Sequence, residues 1–83
     1  MGVIMHDVLM ALDLPPAVKV QTIKLLARIG QAASADELWR ASDRAAGFVL
    51  GLETVGALDS TRIDSLYSVF DEAATARRLE HAQ

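Results

Sequence analysis

The chain has 83 residues, no cysteine, 52% apolar side chains and a net charge of −3. That length holds one domain, and the missing cysteines exclude disulfides and thiolate metal sites. The acidic balance disfavours nucleic acid, whose binders carry a basic footprint.

Counting glycine brings the apolar share to about 58%, above the roughly 45–50% of ordinary domains. A small domain has proportionally less interior to fill. The excess therefore belongs on a surface, where it marks an interface. Much of it is alanine, which softens the inference without removing it. Freedom from cysteine suits a reducing cytoplasm, the location expected here.

The opening "MGVIMHDVLMALDL" is apolar but has no cation ahead of its apolar part. It is too short to cross a membrane and lacks the layout of a signal peptide. His6 stands where a myristoylation signal needs Ser or Thr. A soluble protein with no membrane partner is expected. The periodicity is helical throughout and predicts an all-α, compact bundle of four helices, at about 3–13, 16–29, 35–55 and 60–79, forming a single helical domain over 1–83.

In the first segment, Ile4, Met5, Val8, Leu9 and Leu12 share one broad side. "LPP" ends it, because Leu14 precedes a proline and is pushed out of the helical region. Pro16 suits the first turn of the second helix. There Val18, Thr22, Leu25 and Ile29 line up, and Val20, Ile23, Leu26 and Ala27 widen the stripe, so this helix is expected to be the most enclosed. Gly30 is the expected left-handed terminator.

"SADELW" opens the third segment with a capping box. Ser34 accepts from the Glu37 N–H, while the Glu37 side chain is expected to return to the Ser34 N–H. Leu38, Ala41, Ala45, Phe48, Val49, Leu52 and Val55 form its core stripe, and Gly56 its terminator. "LDSTRI" opens the fourth, with Asp59 as N-cap and Leu58 and Ile63 as a hydrophobic staple. Ile63, Leu66, Tyr67, Phe70, Ala73 and Ala74 fall on one side. Fraying is expected after Leu79, leaving His81 in a loose tail.

The third helix also carries Gly47 and Gly51, one turn apart and on the far side from its stripe. Each internal glycine costs about 1 kcal/mol relative to alanine. Trp39, Ala46 and Leu50 lie close by, about a quarter-turn round. A second element is therefore expected to cross the glycines: another helix of this chain or a partner. The candidate interface is Trp39, Ala46, Gly47, Leu50 and Gly51.

A different parse of residues 22–59 lets Ser42-Asp43 cap a new helix. The order becomes helix, "GQAAS", short helix "ADELWRA", turn, helix, "LETVGALD". So divided, the stretch resembles the tri-helical core of helix-turn-helix or winged-helix regulators, in which a recognition helix often ends in a Leu-Glu-x-x-Gly-Leu pattern. The resemblance covers about half of the chain and implies DNA binding. It departs from the pattern in two ways. The recognition helix would offer only Arg44 as a cation, beside Asp43 and Glu53, and a helix rather than a wing follows Gly56.

Asp64-Ser65-Leu66 is similar to the prosthetic-group tripeptide of acyl carrier proteins. In that family the serine opens a helix after a long loop, whereas Ser65 falls late and inside the fourth helix. Met5, His6 and Met10 are soft-metal ligand types, but a methionine-rich first helix is explained by packing. Asp36-Glu37 is accounted for by capping. Asp71-Glu72 diverge by about 100°, with no convergent base or nucleophile. Lys24 and Arg28 form a basic ridge, and Asp64, Asp71 and Glu72 an acidic one, both read as solvated.

No catalytic, cofactor-binding or metal residue is assigned, and an enzyme is not expected. The expected function is a small non-enzymatic protein–protein interaction module or regulator acting through an apolar helical surface. Its partner is itself, as a homodimer, or another protein. The alternative is a helix-turn-helix-like DNA-binding transcriptional regulator.

Overall fold

The computed structural model describes Leu9 and residues 11–82, and their helices are α1 (Pro16–Gln31), α2 (Ala35–Thr54) and α3 (Ser60–Ala82). The expected all-α class holds, with no strand among the described residues, but the four-helix bundle is corrected to a three-helix bundle. Most of the expected first helix, about 3–13, lies outside the described residues. Leu9 and Ala11 have helical backbone, and Leu12 and Asp13 already turn. Asp13 takes a left-handed φ of 52°, which aspartate tolerates better than most side chains. The prolines behind Leu14 then keep a helix from continuing.

Pro16 sits in the first turn of α1, where its missing N–H costs nothing, and the Lys19 N–H donates to the Pro15 carbonyl oxygen at 2.9 Å. Gly30 does not end this helix as expected. It lies inside α1, and the stop falls at Ala32, whose φ and ψ are −58° and 125°. The reason is tertiary. Arg77 Nε of α3 donates to the Ala32 carbonyl oxygen at 3.0 Å, and His81 Nε2 approaches the same oxygen at 2.9 Å. That carbonyl is thereby given partners outside the helix.

α2 begins as its capping box demands. The Glu37 N–H donates to Ser34 Oγ at 3.1 Å. The return bond goes to the Ala33 N–H, 2.9 Å from Glu37 Oε2, one residue ahead of the expected Ser34. The helix is continuous from Ala35 to Thr54, so residues 34–56 hold one helix rather than two. At its end Gly56 is left-handed, with φ 66°. Its N–H donates to the Glu53 carbonyl oxygen, and the Ala57 N–H reaches back to Leu52 at 2.9 Å. This paired arrangement satisfies carbonyls that the last turn would otherwise leave unmet.

α3 starts on Asp59, whose Oδ1 accepts from the Arg62 N–H at 3.0 Å. Leu58 is half-buried and Ile63 buried in one cluster, as a hydrophobic staple requires. The helix does not fray after Leu79. It runs to Ala82, held through Arg77 and His81.

The core joins Leu25 and Ile29 of α1, Leu38, Ala45 and Val49 of α2, and Ile63, Leu66, Val69, Phe70 and Ala74 of α3. Leu9, Leu14 and Ala32 close it from the connecting segments. Thr22 is fully buried among them, and its hydroxyl donates to the Val18 carbonyl oxygen at 2.8 Å. The radius of gyration, 12.4 Å, matches the roughly 12 Å of a compact chain this long.

Two stripe assignments change. Val55 is 76% exposed, because the turn at Gly56 begins beside it. Val20 and Ile23 do not widen the buried stripe of α1 but are 52% and 44% exposed, and Ala27 is exposed with them. α1 has apolar residues on opposite faces, and only one face can meet α2 and α3. It is therefore not the enclosed helix that its composition suggested.

Candidate interaction surface

The rotation of α2 is set by its buried side. With Leu38, Ala45 and Val49 inward, a step of 100° per residue turns Trp39, Ala46 and Leu50, each one residue further on, about 100° from the core stripe. Trp39 is 67% and Leu50 56% exposed, and Ala46 is exposed between them. The candidate residues thus form one strip along the helix.

Gly47 and Gly51 border this strip. A Cβ added at either would meet no heavy atom within 4 Å. Of the alternatives expected to cross the glycines, the last helix does not, and among the described residues nothing else does; most of the expected first helix lies outside them. The glycines face open space, where a glycine in a helix is a net cost unless something else approaches.

Trp39 and Ala46 of the strip line a groove of about 550 Å³ between α2 and α3, and Leu50 lies beyond its lining residues. Trp39, Ser42, Asp43 and Ala46 face Tyr67, Phe70, Asp71 and Ala74, with Arg78 beside them. The α3 wall was not anticipated from sequence, although Tyr67, Asp71, Ala74 and Arg78 recur at spacings of four, three and four. The same spacing carries the α2 wall onward to Glu53 and the α3 wall back to Asp64, both exposed. The charged residues that line the groove are two carboxylates, Asp43 and Asp71, and one cation, Arg78, and Glu53 and Asp64 lie beyond its ends.

A second groove, of about 590 Å³, lies between α1 and α2. It gathers Arg28, Arg40 and Arg44 around Gln31, Ala41 and Glu37. Arg40 is paired with Asp36 at 2.8 Å, and Glu37 serves the α2 cap.

The remaining candidates disperse. Ser65 Oγ donates to the Thr61 carbonyl oxygen at 2.9 Å within the body of α3, unlike a serine at the start of a helix. Met5, His6 and Met10 lie outside the described residues. Among the described residues, no group of three His, Cys, Asp or Glu side chains is placed to hold a metal ion. The turn that the helix-turn-helix parse needs at Ser42-Asp43 is absent, since both residues lie within α2. Lys24 and Arg28 of α1 and Asp64, Asp71 and Glu72 of α3 are all exposed, and no salt bridge joins them among the described residues. No helix among the described residues is long and apolar enough to cross a membrane.

The chain matches no family model, no curated protein and no solved structure.

Proposed function

We propose that this protein is a non-enzymatic interaction module that works by presenting the Trp39–Leu50 strip to another macromolecule, and that it associates with itself, a homodimer being the smallest product. The observation that carries this reading is Trp39. A tryptophan left 67% exposed forgoes much of the roughly 1.5–3 kcal/mol that burial of a large apolar side chain brings. Tryptophan is also the side chain most often found at the energetic centre of protein interfaces. Ala46 and Leu50 extend the strip, and the neighbouring glycines allow a partner backbone to come close, a logic best known from packed membrane helices.

The reading is tested by comparing wild-type protein with Leu50→Asp in light scattering. The substitution lies on an exposed site, so circular dichroism should report an unchanged helix content. Wild type should scatter as more than one chain, and the variant as one. Equal masses for the two would contradict the role of the strip.

A further inference from the structure

α1 carries three cations, Lys19, Lys24 and Arg28, and not one acidic residue. Its exposed apolar strip, Val20, Ile23 and Ala27, has the spacing of three and four that lets a helix lay one edge into a groove. At 100° per residue, Lys19 falls on one side of that strip and Lys24 on the other, with Arg28 farther round at the α1–α2 groove. The groove between α2 and α3 has the opposite character. Asp43 and Asp71 line it, Glu53 and Asp64 continue its walls, and Arg78 is the cation among the lining residues.

The two features also point in opposite directions. No residue of α1 lines the α2–α3 groove, which lies on the side of the bundle away from α1. The Val20–Ala27 strip faces away from the buried side of α1, formed by Thr22, Leu25 and Ile29. A single molecule therefore cannot close one onto the other. The lengths agree: the strip from Val20 to Ala27 spans about 10 Å along α1, and the lining residues from Trp39 to Ala46 span about 10 Å along α2.

Building on the reading of the Trp39 strip as an association surface, we infer that its occupant is α1 of a second copy of this chain. The basic-edged strip of one molecule lies along the acidic-edged groove of the next. Opposite charges then meet along both edges, which fixes register and favours this pairing over like against like. Because the two surfaces differ, the contact is head-to-tail. A dimer formed this way keeps one free groove and one free strip, so assembly continues to longer chains or closes into a ring.

The test uses two full-length variants, Ile23→Asp, which spoils the strip and leaves the groove, and Ala46→Asp, which places a carboxylate on the groove wall and leaves the strip of α1. Each alone should lose self-association by about tenfold or more, since an unpaired carboxylate would have to be buried. Mixed in equal amounts, they should form a one-to-one complex through the intact groove of the first and the intact strip of the second. That complex should weaken as salt is raised. Failure of the mixture to associate would overturn the head-to-tail contact. So would wild-type behaviour in Ile23→Asp with association lost in Ala46→Asp, a result that keeps the Trp39 strip as an interface but one between like faces. A wild type that never exceeds one chain would overturn both readings together.

Discussion

Arg62 Nε donates to the carbonyl oxygen of Leu12 at 2.7 Å, across a separation of 50 positions. The same guanidinium holds Asp59 through Nη1 at 3.0 Å, while Asp59 caps the helix that carries Arg62. One side chain thus ties the segment before α1 to the first turn of α3, beside the buried Leu9 and Leu14. Arg62→Lys keeps the charge but not the planar fork that reaches two partners. A loss of about 1–2 kcal/mol is expected for a charged hydrogen bond that is partly solvent-exposed. The urea midpoint of unfolding measures it, and an unchanged midpoint would show that this anchor is idle.

The start of α2 rests on reciprocal bonds between Ser34 and Glu37 with the backbone around them. Ser34→Ala should cost about 1 kcal/mol, as helix caps do. Glu37→Ala should cost less, and the double variant less than the sum, because the two side chains form one unit. Unfolding curves on the three variants decide this, and strict additivity would mean that the two caps act separately.

Three glycines of the chain should respond in opposite ways to alanine. Gly47 and Gly51 lie in a helix with open space where a Cβ would stand, so Gly47→Ala and Gly51→Ala should each stabilise the monomer by about 1 kcal/mol. Gly56→Ala must adopt φ 66° and should destabilise it by about 1 kcal/mol. Melting temperatures in dilute solution report both signs. A loss on Gly47→Ala under those conditions would reveal a contact within the chain at that site.

Much of this architecture is written locally, and the parts that are not have a common cause. Ser34, Asp59 and Gly56 announce their roles within four residues, because a cap is a bond between neighbours. Gly30 misleads for the complementary reason: a glycine can end a helix but need not. Here the stop belongs to Ala32, whose carbonyl oxygen is claimed by Arg77 and His81 from 45 and 49 positions away. Periodicity could not choose between the two apolar faces of α1, since Thr22, Leu25 and Ile29 on one side and Val20, Ile23 and Ala27 on the other each read as a stripe. The Trp39 strip was legible because α2 has a clear buried side to measure it from. Its opposite wall on α3 needed the three-dimensional pairing of the helices.

The arginines that line the groove between α1 and α2 make a DNA titration informative despite the acidic balance of the chain. Negligible binding to duplex DNA at low salt is expected, because the three cations share their groove with Glu37 and Arg40 is already paired. Binding that falls steeply with salt, as counterion release demands, would instead favour the regulator reading.

Trp39 supplies its own reporter. It is the one tryptophan of the chain, and in a lone molecule it is largely in water. Its emission should move to shorter wavelength as concentration rises and a neighbour covers it, and Leu50→Asp should abolish the shift. Emission that stays constant across the range would mean that the indole remains solvated.

Sedimentation velocity of the wild-type chain, from low to high micromolar concentration, bears on the whole account. An average mass climbing well above the 8.9 kDa of one chain is the expected result. A mass that stays at one chain throughout would mean that the exposed tryptophan, leucine and glycines of α2 wait for no second copy.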